Sequence, residues 1–498
     1  MIVCALSALK LGQDINWDWR NYHQYYGYAI VNNKYDIDIA PSGIHSYFNP
    51  YVYVFIYLIK MHLPLRVGLA IIGALQGLNL VVIWFLARHL FKPEYGLWPV
   101  LVSTLIATFS PMAMSEIGTS LIDIWLSPLV LLGLMLVILG TDEDAKPTRQ
   151  FMLLVLAGGL SAGIAVGLKL TNIGFAVGLW AAVLFGPRRY YATLLLAGGG
   201  LAGYLISSGY WSFYLWNTFA NPVFPYYNAI FGSLDGPTVN LKDSRFLPTD
   251  TPHMLAYPVL WALGDHRSAE VVFYEVRFVL VIVLSLILCG AALASRRFPL
   301  SRRQTQVVVF FLVSYFIWIK TFAIQRYIVP LELLTGPLIA IMIWAIPGRA
   351  ARIALAVAAC ALTININRAP NWGRLPRGVN YDFDIPAALD KPATFFLTGK
   401  PLAFVAARLP AESRFFIAGD PNIMVATGPV FSQRIARARA HPLPGGEWVI
   451  RQRGETETQS NHKLKPFGYQ VDMTVPCVSF GQLGDSDVEA CRLKDISS

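Results

Sequence analysis

About eleven apolar stretches, most of them long enough to cross a hydrocarbon layer ~30 Å thick as helices, dominate this chain and restrict it to one broad class of fold. They cover residues 1–12, 67–87, 97–114, 120–140, 151–168, 173–186, 191–209, 273–294, 306–321, 327–346 and 350–364. Apolar side chains make up 55% of the sequence and charged ones only 14%, so the fold class expected is an α-helical polytopic membrane protein. The net charge of +10 could point to nucleic acid. The arginines and lysines instead fall in short clusters between apolar runs, the pattern of membrane-protein loops, and nucleic-acid binding is excluded on that ground.

Residues 51–59 form a further apolar, aromatic run, bounded by Asn49-Pro50 and by Lys60, His62 and Pro64. It is too short to span a bilayer and reads as a helix lying in the interface. Leaving it out of the span count puts five basic loops on one side. These carry Arg88 and Lys92; Lys146 and Arg149; Arg188 and Arg189; Arg296, Arg297, Arg302 and Arg303; and Arg349 and Arg352. The positive-inside rule makes that side cytoplasmic. The external side then receives residues 13–66, the turn at 115–120, a long loop at 210–272, the link at 320–326 and everything after about 365. The first span is short: Met1 to Gly12 supplies about half of the ~20 residues a crossing helix needs. Either the chain start is truncated or this helix is incomplete, and a cleaved signal peptide lacks its basic n-region and its cleavage site.

From about residue 370 the composition becomes that of a soluble domain, with charges, prolines and strand-like runs at 414–418 and 448–451. The expected division is a transmembrane catalytic domain over 1–365 and a small external α/β domain over 366–498. Cys4, Cys289 and Cys360 lie in apolar runs and read as packing residues. Cys477 and Cys491 sit in the external tail, where an oxidising compartment lets them pair.

Three carboxylates stand at the outer ends of spans: Asp14 and Asp18 after the first, and Asp123 opening the run that ends at Gly140. An acid beside an apolar helix is costly and usually lines a site, though an interfacial helix cap would also explain Asp123. Trp17, Trp19, Tyr22, Tyr25, Tyr26 and Tyr28 surround Asp18 with an aromatic belt suited to the headgroup level. That is the depth at which an amphiphilic substrate presents its polar head.

Read together, these motifs resemble the GT-C superfamily of polytopic glycosyltransferases, and within it the bacterial aminoarabinose transferase and protein O-mannosyltransferase branch. The resemblance covers the chain to about residue 345. An acid after the first span with an aromatic four positions on is matched by Asp18 and Tyr22. The aromatic, Pro-containing interfacial helix is matched by Phe48-Asn49-Pro50-Tyr51-Val52-Tyr53, and the Asp opening the fourth span by Asp123. Gly167-Leu168-Lys169-Leu170-Thr171-Asn172 matches the segment ending the fifth span, and Arg326-Tyr327-Ile-Val-Pro330 matches an Arg-Tyr-x-x-Pro segment. Two positions depart from the pattern. Trp19 stands where a second acid often follows the first, so that Asp14 takes the partner role or none exists. Asn172 stands where a lysine is usual, with Lys169 one turn earlier.

The resemblance implies inverting sugar transfer from a polyprenyl-phosphate-linked donor to a lipid, polysaccharide or protein acceptor, outside the cytoplasm of a bacterial inner membrane, with the active site and the C-terminal domain in the periplasm. Such transfer needs a base at the acceptor and positive charge at the departing phosphate. Asp18 is the expected base, with Asp123 orienting the acceptor or raising the basicity of Asp18. Arg326 is the expected phosphate ligand, since a guanidinium binds two oxygens at once, although an interfacial arginine also snorkels to headgroups. Tyr327, Lys169 and Lys320 are further donor candidates, and Arg20, Tyr22, His23 and His45 are candidates for contacts to donor or acceptor. A divalent cation is compatible with the external acids, but no motif marks a tightly held metal. The absence of a P-loop or dinucleotide fingerprint argues against a nucleotide donor. The competing expectations are a transporter or flippase of a lipid-linked glycan, or an oligosaccharide ligase or polymerase of the same fold.

Overall fold

The computed structural model describes residues 1–142, 148–295, 300–379, 384–423, 428–483 and 486–496. The loop residues Lys146, Arg296 and Arg297 lie outside these. In chain order the helices begin with α1 (Ile2–Leu11), α2 (Gln24–Val31), α3 (Tyr51–His62), α4 (Leu65–Gln76) and α5 (Leu78–Leu90). They continue with α6 (Trp98–Thr108), α7 (Pro111–Glu116), α8 (Asp123–Gly140), α9 (Thr148–Leu168), α10 (Ile173–Val183), α11 (Arg189–Tyr204) and α12 (Tyr210–Phe219). After α13 (Asn228–Phe231) and α14 (Thr251–Ala262) come α15 (Arg277–Ser295), α16 (Arg302–Thr321), α17 (Val329–Ala345) and α18 (Arg349–Ile366). The C-terminal part contains β1 (Thr394–Leu397), β2 (Arg414–Ile417), α19 (Pro429–Ala440), β3 (Glu447–Gln452), α20 (Glu457–Leu464), β4 (Tyr469–Val471), β5 (Val478–Leu483) and β6 (Ser486–Asp495).

Among the described residues, seven helical stretches are long and apolar enough to cross a membrane: 65–90, 123–140, 148–168, 189–219, 302–321, 325–345 and 349–366. The shorter apolar helices are Ile2–Leu11, Tyr51–His62, Trp98–Thr108, Leu170–Val183 and Arg277–Gly290. The stretch that begins at Arg189 runs on through a π-helical turn, Leu205–Gly209, to Phe219. The segment after residue 209 therefore starts as helix rather than as loop, because Tyr210–Phe219 is built almost wholly of apolar and aromatic residues with no glycine or proline to stop it.

Residue contacts divide the chain into two compact units. The first comprises residues 1–10, 70–209 and 243–372. Its centre is α17, in which every residue from Val329 to Ile343 is buried. Helices α9 and α11 pack backbone to backbone, and a Cβ at Gly163 would lie 2.1 Å from the carbonyl oxygen of Gly200, so only glycine fits. An ionic network is buried beside α17. The Arg277 guanidinium donates to Glu275 Oε1 (2.9 Å) and to Glu332 Oε2 (3.3 Å), and all three residues are fully buried. Ser110 Oγ and the Met112 amide also donate to Glu332 Oε2 (2.5 and 3.1 Å), Gln325 Nε2 donates to Glu332 Oε1 (2.9 Å), and Asn367 Nδ2 donates to Glu275 Oε1 (3.3 Å). Charges buried this deeply persist only when so thoroughly paired.

The second unit comprises residues 11–69, 210–242 and 373–498. Its sheet has the order β2-β1-β3-β6-β4, with β5 also paired to β6; β1 runs parallel to β2 and β3, whereas β6 is antiparallel to β3, β4 and β5. Cys477 and Cys491 are joined by a disulfide. The segment after α2 extends this sheet at β2. Ile39 makes a parallel bridge to Phe416, donating its amide to Phe415 O (3.0 Å) and accepting from the Ile417 amide (2.8 Å). Asp38 fixes the register: Oδ1 accepts from the Phe415 amide (3.0 Å), Oδ2 accepts from Tyr25 OH (2.8 Å), and its carbonyl accepts from Arg434 Nη1 (2.6 Å). Lys34 Nζ donates to Ser413 O (2.7 Å) close by. The stretch from α2 to residue 39 is thus part of the same folded body as the C-terminal sheet.

Burial raises the Asp38 carboxyl from its ordinary range to about 7, against the opposing pull of Lys34. A group protonated to higher pH in the folded than in the unfolded chain contributes stability that is complete below its unfolded pKa, about 4 for Asp, and lost as pH rises through the folded value. Thermal stability of the second unit should accordingly fall between about pH 4 and about 7. In Asp38→Asn that decline should flatten, as read from melting temperatures across the range. An unchanged slope would assign it to another group.

Candidate functional site

In the second unit the polar backbone turn at residues 14–23 follows directly on α1. Asp14 is fully buried and ion-paired with Lys60 of α3, and its Oδ2 accepts from Asn16 Nδ2 (2.9 Å). Asn16 Oδ1 in turn accepts the Trp19 amide (2.7 Å), fastening the start of a π-helical turn, Trp19–His23. The Lys60 ammonium sits 3.9 Å from the Trp19 ring. Such turns often occur at functional positions, and this one begins immediately after Asp18, which is 9% exposed. Of the two acids, Asp14 is the anchor of the turn and Asp18 is carried by it.

The aromatic residues that follow do more than sit at an interface. Tyr22 stacks on His45 (centroids 4.8 Å, planes 16° apart) and meets His23 edge-on (4.4 Å), and His23 stacks on Tyr53 of α3 (4.4 Å). Burial, reinforced by the nearby Lys400 ammonium, lowers His45 to about 4, so that its ring is neutral near pH 7. His45 is therefore a packing or hydrogen-bonding group rather than a cation for phosphate. Lys400 is itself ion-paired with Asp420 (2.5 Å) directly against Gly43, where a Cβ would lie 1.9 Å from Asp420 Oδ2. Arg20 is part-buried on the same π-helical turn as Tyr22.

In the first unit a second set of charged residues gathers at helix ends. Asp123 opens α8, where the helix dipole favours an acid. Lys169, in extended backbone just after α9, donates Nζ to Asp123 Oδ1 (2.6 Å) and lies 3.9 Å from the centroid of Tyr327. Asn172 donates Nδ2 to Ala165 O (2.9 Å), tying off the last turn of α9. The departure noted at this position is thus accounted for: Asn172 caps the helix, and the lysine one turn earlier reaches the acid.

Arg326 lies on the short turn Gln325–Ile328 before α17, its guanidinium 5.7 Å from the Tyr327 ring and 5.8 Å from the Trp372 ring. That turn is held from beneath: the Gln325 amide donates to Ser268 O (2.7 Å), and the Gln325 side chain joins the buried Glu332 network. Trp372 is fixed by Nε1 donating to Ser115 Oγ (2.9 Å). Lys320 is exposed on the last turn of α16 and makes none of these contacts.

The same group contains an acid that no motif in the sequence marks. Glu116, at the end of α7, is fully buried; its Oε2 accepts the Ile124 amide (2.9 Å) at the start of α8, and Asp123, Lys169 and Arg326 all act on it electrostatically. The signal available was an acid at the outer end of an apolar run, seven residues before Asp123. Among the described residues, no three His, Cys, Asp or Glu side chains come together as a metal site.

The same overall fold has been seen in solved structures. The chain is similar to ArnT from Cupriavidus metallidurans, solved bound to undecaprenyl phosphate (TM-score 0.59, 13% identity, covering 98% of this chain and 96% of that one) and in the apo state (TM-score 0.60, 13% identity, the same coverage). A further match is the archaeal oligosaccharyltransferase AglB from Archaeoglobus fulgidus, in complex with an inhibitory peptide and a dolichol-phosphate (TM-score 0.46, 12% identity, covering 94% of this chain and 70% of that one). No protein-family model and no curated protein sequence matches the chain.

Proposed function

We propose that this protein is an inverting glycosyltransferase that moves a sugar from a polyprenyl-phosphate-linked donor to an acceptor on the periplasmic face of a bacterial inner membrane, in the cell envelope. The observation that carries the reading is the convergence of Lys169, Arg326 and Tyr327 with Asp123 and Glu116 at the helix ends of the first unit. Two cations held among carboxylates and aromatic rings suit a phosphate that gains charge as its bond to the sugar breaks. The fold neighbour ArnT was solved with undecaprenyl phosphate bound, which agrees with such a donor.

Each residue then has one task. Arg326 binds two oxygens of the departing phosphate, and Lys169, released in part from Asp123, adds a second positive charge. Tyr327 gives both cations an aromatic face. Asp18 removes the acceptor's hydroxyl proton as that oxygen attacks the anomeric carbon. Asp14 and Lys60 hold the turn that bears Asp18, while Tyr22, His23 and His45 form its aromatic bed. A lipid, polysaccharide or protein acceptor is compatible with this division of labour, and Cys477–Cys491 agrees with an oxidising compartment.

The test is reconstitution in sealed vesicles with a radiolabelled polyprenyl-phosphate sugar and acceptors of each class. A new glycosidic bond is the expected result. Label that crosses the membrane with no bond formed would instead establish a transporter and overturn the reading. In the same assay Arg326→Lys, which keeps the charge but loses the planar two-point contact, should raise the donor KM by about tenfold or more.

A further inference from the structure

The Glu116 side chain is fully buried, yet only one of its oxygens is accounted for. Oε2 caps α8 through the Ile124 amide, whereas Oε1 is shielded from solvent and has no hydrogen-bond partner among the described residues. A carboxylate oxygen left this way is expensive to bury, and one remedy is a proton that is later given up. The charged groups facing it are Asp123 on α8, Lys169 after α9 and Arg326 on the turn before α17, the last two being the cations assigned above to the phosphate.

We propose that Glu116 is the acid that protonates the departing polyprenyl phosphate, an assignment that rests on the donor chemistry proposed above. The acceptor O–H bond breaks and its proton goes to the base; the acceptor oxygen bonds to the anomeric carbon. The anomeric carbon's bond to the phosphate oxygen breaks, and its electron pair stays on that oxygen, which takes the Glu116 proton. The base ends protonated, Glu116 ends ionised, and the lipid leaves as a monoanion, so total charge is conserved. Proton exchange with solvent restores both groups.

A carboxyl that its surroundings keep protonated favours this step. A phosphate monoester takes up its second proton near pH 6, so a carboxyl that is ionised at its ordinary value would have no proton to give. Burial and the neighbouring Asp123 carboxylate hold Glu116 well above that value, with Arg326 and Lys169 pulling the other way. Ionised after transfer, Glu116 would then repel the charged product from the same cations, which favours release.

Glu116→Gln keeps an oxygen for the Ile124 amide but carries no transferable proton. In steady-state kinetics across pH, its kcat should fall by about 100-fold, the lower end of what general-acid catalysis contributes, with the donor KM within about threefold of wild type. The alkaline fall in wild-type kcat should vanish in this variant. Glu116→Asp, which can still be protonated, should retain the alkaline limb at reduced rate and covers the case in which the glutamine variant does not fold. Wild-type kcat in Glu116→Gln, or a loss confined to donor KM with the alkaline limb intact, overturns the assignment and leaves Glu116 as a helix cap. Failure of the wild-type protein to transfer sugar from any polyprenyl-phosphate donor overturns the underlying reading instead, and is seen before any variant is made.

Discussion

Asp18→Asn is expected to lower kcat for sugar transfer by roughly 10²- to 10⁴-fold while leaving donor affinity nearly unchanged, since a general base acts on the acceptor and not on the lipid phosphate. The asparagine preserves shape but removes the negative charge and with it the ability to take a proton. Asp14 provides the contrast. It is buried against Lys60, so Asp14→Ala strands a buried ammonium and should cost about 3–5 kcal/mol of stability. Measuring donor binding, turnover and melting temperature for both variants separates the two roles. Transfer at the wild-type rate by Asp18→Asn would remove it as the base, whatever the stability of Asp14→Ala.

An equally large structural effect is expected at Arg277. Replacing it with methionine leaves Glu275 and Glu332 buried without their common cation, a loss of about 3–5 kcal/mol. Melting in detergent should drop sharply. Adding Glu275→Gln and Glu332→Gln to Arg277→Met removes both stranded charges and should recover most of the loss. If the single variant melts like wild type, the network is not what holds α17 to its neighbours. The same variant should weaken donor binding, because Gln325, which starts the Arg326 turn, is bonded to Glu332.

Much of the first unit could be read in advance because membrane helices advertise themselves by length and composition alone. Asp123, Lys169 and Arg326 could be nominated because each interrupts or borders an apolar run, where a charge is conspicuous. Glu116 was equally conspicuous, but its neighbours come from α8, from the end of α9 and from before α17, and no local spacing connects those segments. The clamp around Asp38 was hidden for the same reason: Ile39 and Phe416 are far apart in sequence, and a one-residue strand bridge leaves no periodic trace. Lys60 read as a polar boundary to a short apolar helix; that its ammonium folds back onto Asp14 depends on the path of the π-helical turn, which residue types do not dictate. The helix through Phe219 is not legible from residue type, because aromatic residues suit a lipid-headgroup loop as well as a helix face.

The pairing of Ile39 with Phe416 also has a consequence for how the protein is made. The segment bearing Asp18 is synthesised before helices α4 to α18, yet the strand that Ile39 docks on is synthesised after all of them. Every hydrophobic helix can enter the bilayer while that early segment still lacks its partner. During translation it must wait, open to proteases and to chaperones, until β1, β2 and α19 have been synthesised. A ribosome stalled near residue 370 would thus leave an inserted but unfinished protein, and protease protection of the early segment should rise only once residue 417 has been delivered.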